Sequence, residues 1–142
     1  MRLSTRSEYG LRAIAALAKR HDGQPVPLRE IASSETISEQ YLEQIFVDLR
    51  RGGFVRSVRG AKGGYLLARQ PEEISVGEVL GVLEGDLAPY DCVASEIVEC
   101  ERANFCTTRQ VWLKLRDSMM QAMGGMTLAD IVAPEERPSA VR

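Results

Sequence analysis

Leu11, Ile14, Ala15 and Ala18 recur at the spacing of one helical face, which predicts a helix over residues 4–20. Thr5 and Glu8 stand at capping-box spacing at its start, and His21-Asp22-Gly23-Gln24-Pro25 breaks the pattern. A short helix is expected over 27–33, with Pro27 at its first position. A tight turn from Ser34 to Ile37 leads to Ser38, an N-cap residue followed by Glu39, whose charge suits a helix N-terminus. Leu42, Ile45, Phe46 and Leu49 then fall at i, i+3, i+4 and i+7, an amphipathic helix closed by Gly52-Gly53. Residues 54–58 and 65–68 read as two strands, joined by the basic, glycine-rich tip Arg59-Gly60-Ala61-Lys62-Gly63-Gly64.

The pattern changes after Pro71. Ser75 and Glu78 form a second capping-box pair, opening a helix that runs to about Leu83. Residues 84–106 show no periodicity and are acidic. Over 107–123 a long helix is expected, with Val111, Trp112, Leu115, Met119 and Met123 on a broad apolar face and Gly124-Gly125 at its end. Thr127 opens a last short helix, and the tail from Pro134 has the composition of a disordered segment. The expected organisation is therefore three segments, 1–70, 71–133 and 134–142.

Helix, tight turn, amphipathic helix and basic hairpin, in that order, make a winged helix-turn-helix, so the fold class is mainly α with a small β-wing. The second helix of the pair can lie in a DNA major groove, where its outward face offers Ser38, Gln40, Tyr41, Glu43, Gln44 and Arg51. Gln can pair with adenine, and Glu can accept from cytosine. Arg59 and Lys62 at the hairpin tip suit a narrow minor groove. Arg2, Arg6, Arg50 and Arg56 suit phosphates, which give affinity without sequence information. The turn itself carries Thr36 where such turns often hold glycine; a β-branched residue at positive φ costs on the order of 1–3 kcal/mol, so a different turn geometry is the alternative.

The chain has 142 residues, 44% hydrophobic and 27% charged, the balance of a globular protein. No apolar run is long enough to cross a membrane, and the N-terminus has no secretory pattern, so a cytoplasmic location is expected. The net charge of −2 hides an asymmetry. Residues 1–70 hold 12 Lys/Arg against 7 Asp/Glu, and residues 71–142 hold 6 against 13. The first half is thus the one that suits a polyanion, double-stranded DNA above all. No nucleotide-binding glycine loop or Ser-His-Asp set is present, and His21 is the only histidine, which argues against an enzyme.

The three cysteines, Cys92, Cys100 and Cys106, all lie in the acidic irregular segment. An odd number speaks against a disulfide framework. Thiolates are the usual ligands of iron–sulfur clusters, and a loop lets three sulfurs converge. A structural zinc ribbon fits poorly without a C-x2-C pair. A thiol redox switch, one cysteine resolving another, stays open.

Several stretches carry a resemblance: Met1-Arg2-Leu3-Ser4, Val26-Pro27-Leu28, Ile37-Ser38, Tyr41-Leu42-Glu43-Gln44, Ser57-Val58-Arg59-Gly60, Gly63-Gly64-Tyr65-Leu66-Leu67 and Val76-Gly77-Glu78-Val79. Together they resemble the winged-helix iron–sulfur transcription regulators of the IscR, NsrR, RirA and CymR family, to about Ala133. The resemblance implies a homodimer in which the 107–123 helix crosses to the second protomer. It also implies base readout at Glu43, minor-groove entry by Arg59, and a cluster on Cys92, Cys100 and Cys106. In IscR-type members a histidine ligand follows the third cysteine by three residues, where this chain has Arg109, which cannot ligate. The cysteine spacing is more similar to NsrR and RirA. NsrR-type members take a carboxylate from the other protomer's first helix at the position of Glu8, so Glu8 is the implied fourth ligand, against its capping-box role. The longer IscR-like matches point to 2Fe–2S, with 4Fe–4S as the other form. The implied function is cluster-sensing control of genes such as those for cluster assembly. The alternatives are nitric-oxide sensing, iron-responsive repression, or cluster-free regulation through thiols or a protein partner.

Overall fold

The computed structural model describes residues 2–94 and 100–133, so the expected tail at 134–142 lies outside the described residues. Helix α1 spans Thr5–Lys19, and its residues Ala13, Ile14 and Leu17 form the centre of the core. Its cap differs from the expected pair. Ser4 has the extended backbone an N-cap requires (φ −73, ψ 160) and its hydroxyl accepts from the Ser7 N–H at 3.2 Å. Thr5 is already helical, so no Thr5–Glu8 box can form.

Helix α2 spans Leu28–Glu35 and α3 spans Glu39–Arg51. Pro27 occupies the N-cap of α2 rather than its first turn, with ψ 138. Thr36, between the two helices, takes the left-handed conformation (φ 56, ψ 49) despite its branched side chain. The Ile37 N–H bonds the Ala32 carbonyl at 3.0 Å and buried Ile37 closes the turn, the arrangement in which a helix ends on a left-handed residue. Arg12 of α1 donates to the Glu35 carbonyl and lies 3.3 Å from its carboxylate, holding the end of α2.

Strands β1 (Val55–Val58) and β2 (Gly64–Leu67) pair antiparallel, with Val55 opposite Leu67 and Val58 opposite Gly64. Val26 adds a bridge to Tyr65, exchanging two hydrogen bonds of 2.9 Å. That approach explains Gly64: a Cβ there would run into the Val26 carbonyl. Gly63-Gly64 is therefore required by packing as well as by the turn.

Helix α4 (Val76–Glu84) starts at the expected Ser75–Glu78 capping box. Helix α5 spans Arg109–Gly124, two residues later than expected at its start. Helix α6 (Leu128–Val132) opens with a Thr127–Asp130 capping box. The Leu128 N–H bonds the Ile74 carbonyl at 2.9 Å, which returns Leu128 to the core beside α1. A second small cluster of Val76, Leu80 and Leu87 takes Met119 and Met123 of α5. No residue of α5 is buried, and Val111 and Met120 are more than half exposed. The apolar face expected on α5 is thus divided, one side packed on α4 and the other open. No helix among the described residues is long and apolar enough to cross a membrane.

Candidate nucleic-acid interface and cysteine site

Helix α3 owes its exposed face to its own periodicity. Leu42, Ile45, Phe46 and Leu49 are buried, which turns Gln40, Glu43, Gln44 and Arg51 outward, all exposed. Val47 lies in the same stripe at 36% exposure, a residue the polar pattern did not single out. An apolar side chain there suits a thymine methyl group. Ser38 is exposed, and its hydroxyl caps α3 by accepting from the Tyr41 N–H at 3.3 Å. Tyr41 is half-buried, its ring edge-on to Tyr9 at 5.9 Å. It therefore supports the helix as well as bordering its outer face.

The wing presents Arg56, Arg59 and Lys62, all exposed. The Phe46 ring on the inner side of α3 meets Tyr65 of β2, so the wing base and the recognition helix share one contact. Arg6, expected at a phosphate, is instead paired with Asp48 of α3, which also lies 3.9 Å from Arg51. Arg2 is exposed and lines a recess with Glu84 and Asp86.

The cysteine segment is tied to α5 at two points. The Cys92 carbonyl accepts from Arg109 Nε at 3.2 Å and the Val93 carbonyl from Arg116 Nη1 at 2.7 Å. Tyr90 packs on Trp112, with ring centroids 4.8 Å apart. Arg109, the residue that cannot ligate, thus anchors the backbone of the first cysteine. Cys106 sits just before α5 with its sulfur 3.3 Å from the Thr108 hydroxyl. That contact, with the backbone N–H groups of Thr108 and Arg109, holds its thiol below the ordinary range. A thiolate at a helix N-terminus is a better metal ligand and nucleophile than a thiol.

All three cysteines are free, and Cys100 is exposed. Their soft sulfur donors suit an iron–sulfur group. Among the described residues, however, no three His, Cys, Asp or Glu side chains converge to hold a metal ion within one protomer. Residues 95–99, between the first two cysteines, lie outside the described residues. Glu8 is exposed on the first turn of α1, without the capping-box partner expected for it.

The site missed altogether by sequence reasoning is a carboxylate clamp. Glu84, the last residue of α4, accepts from the Ser4 N–H at 3.0 Å, the Ser4 hydroxyl at 2.7 Å and the Ser7 hydroxyl. Ser7 is fully buried. These bonds, Ser7 first, hold the Glu84 carboxyl below its ordinary value.

Residues 3–134 match a family model described as Rrf2, an iron-dependent transcriptional regulator. The chain is 38% identical over 133 residues to the HTH-type transcriptional regulator CymR of Bacillus subtilis, covering 94% of this chain and 91% of the relative. It is 35% identical over 136 residues to the HTH-type transcriptional regulator IscR of Escherichia coli, covering 96% and 83%. The solved structure of T. potens IscR superimposes with a TM-score of 0.78 at 37% identity, covering 99% of this chain and 94% of that one. These relatives are regulators and not enzymes, and the winged-helix architecture is the one expected.

Proposed function

Since the chain belongs to the Rrf2 family of DNA-binding transcription regulators, we propose that it works as a cytoplasmic homodimer that reads an operator with α3 and the wing and takes its signal from an iron–sulfur cluster. Residues 1–70 are assigned to DNA and residues 71–133 to signal reception and dimerisation. The reading of DNA is carried by the outward stripe Gln40, Glu43, Gln44 and Arg51 beside a wing bearing Arg59 and Lys62. Ser38 and Tyr41 border the stripe, and Arg2 and Arg56 reach phosphates. Support for the dimer comes from α5, sixteen residues long with none buried and Val111, Leu115 and Met120 open. A helix stays packed in water mainly through a buried apolar face, which a second copy would complete.

Cys92, Cys100 and Cys106 are the proposed cluster ligands, with Glu8 of the other protomer as the fourth. Three soft donors in one segment support this, as do the lowered Cys106 thiol and the exposed position of Glu8 outside the cap of α1. The IscR-like stretches of the sequence make 2Fe–2S the proposed form, with 4Fe–4S as the other. When bound, such a cluster would supply a linkage sensitive to iron, oxidation or nitric oxide. The chain's own contribution is to anchor the first cysteine through Arg109 and to present the third at the start of α5.

A second reading, cluster-free regulation through thiols, is favoured by one observation. The Thr108 hydroxyl and the backbone N–H groups at the start of α5 hold the Cys106 thiol below its ordinary range, which favours its reaction as a nucleophile. Purification without oxygen, with a visible spectrum and iron and sulfide assays, separates the two. A brown protein with stoichiometric iron and sulfide, losing its colour in Cys100→Ala, is expected. A colourless protein that reconstitution leaves colourless would sink the cluster and leave a thiol-regulated DNA binder.

A further inference from the structure

The Glu84 clamp joins segments that are 77 and 80 residues apart in sequence, and it stands between the two halves of the proposed regulator. On one side it is continuous with the cysteine segment. Seven residues separate Glu84 from Cys92, and several of them make contacts along the way. Asp86 accepts from the Ala88 N–H at 2.8 Å, Leu87 is buried, and Tyr90 packs on Trp112. The chain from Cys92 back to Glu84 is thus short and makes contacts of its own on the way.

On the other side Glu84 grips the first turn of α1. It takes the hydroxyls of Ser4 and Ser7 together with the Ser4 N–H, at the helix end where a negative charge is favoured. The same turn carries Arg6, paired with Asp48 on the recognition helix, and Glu8 follows directly. One turn of helix thus touches the end of α4 on one flank and α3 on the other.

We infer that Glu84 is a positioning residue that transmits the state of the cysteine segment to α3, through Ser4 and Ser7 and then the Arg6–Asp48 pair. This rests on the proposed reading of a DNA-binding regulator controlled by its cysteines. Coupling requires an element that both sites bias, and in this proposal that element is the first turn of α1, which touches both flanks.

The test uses the full-length chain and a duplex selected by the wild type from a random-sequence library. Affinity is measured for anaerobically prepared protein and again after peroxide treatment, in wild type and in Glu84→Gln, which keeps the shape but weakens the clamp. A wild-type ratio between the two states of about 5–150-fold, the usual range for coupled sites, should fall to within about twofold in Glu84→Gln. A structural role alone would weaken both states equally and preserve the ratio, which would overturn the inference while leaving the regulatory reading intact. A wild type with no difference between states would overturn both. Hydrogen exchange on the wild type gives a second measure independent of any variant. The amides of residues 5–8 should exchange at different rates in the two states, and identical rates alongside a changed DNA affinity would rule the clamp out as the link.

Discussion

The rings of Phe46 and Tyr65 meet at 4.8 Å between centroids and 64° between planes, joining the buried side of the recognition helix to the base of the wing. Phe46 is fully buried, so its position is set by the core, and Tyr65 inherits that position. Helix α3 and the wing are thereby held in one relative orientation. Edge-to-face pairs of this kind contribute about 0.5–1.5 kcal/mol beyond area burial. Tyr65→Leu keeps the bulk and removes the pair, so it should lower stability by about 1 kcal/mol, seen as a lower urea midpoint with an unchanged slope. An unmoved midpoint would mean that the rings touch without holding the wing.

Thr36 is expected to be improvable. Its φ of 56 lies where a branched side chain clashes with its own backbone, and the turn keeps that conformation because Ile37 is buried and Arg12 grips Glu35. Thr36→Gly should raise stability by roughly 1 kcal/mol, the strain relieved being partly offset by the greater freedom of glycine when unfolded. Operator affinity should change little, since Thr36 is exposed at the turn and not in the outward stripe of α3. A variant less stable than wild type would show that the Thr36 side chain has a stabilising contact outweighing its strain.

How much of this was legible follows from the range of each interaction. Helix α3 could be read almost to the residue, because Ser38 caps it locally and Leu42 to Leu49 repeat within two turns. The cap of α1 was read one residue late: Ser4 and Thr5 can both cap, and only the extended backbone at Ser4 decides. The long helix α5 was legible as a helix, but its division into a packed side, with Met119 and Met123, and an open side with Val111 and Met120 depends on where α4 lies. Glu84 fell just past the expected end of α4, as the first residue of the acidic irregular stretch, and its partners lie at the far end of the chain. Cysteine spacing identified donors and said nothing about whether they converge.

Arg59 and Glu43 should separate affinity from specificity. Arg59 is exposed at the wing tip, so Arg59→Ala removes one cation from the DNA interface. The slope of log affinity against log salt should then become shallower by about 1. Glu43→Ala should leave that slope nearly unchanged and instead relax base preference at one operator position by about 1–3 kcal/mol. Both are read from binding isotherms across a salt series on matched and singly altered duplexes. If Glu43→Ala bound every altered duplex with the wild-type order of preference, Glu43 would be a solvated helix residue and no reader of bases.

Glu84 also makes a prediction about acid. Its carboxyl lies below the ordinary value of 4.5 because the hydroxyls of Ser7 and Ser4 and the Ser4 N–H bond the charged form. A group whose folded value is depressed stabilises the fold above its unfolded value and loses that contribution as pH falls through the folded value. At neutral pH, Glu84→Gln should therefore unfold at lower urea than wild type. As pH falls below about 4.5 the unfolded chain takes up the proton first, so the gap between the two proteins should narrow, and it closes once pH has passed through the lower folded value. Arg2 and Asp86 border the same recess and are common to both proteins, so their own titration enters both curves. A gap that stayed constant down to pH 3 would show that shape, and not the charge on Glu84, holds α4 to the first turn of α1.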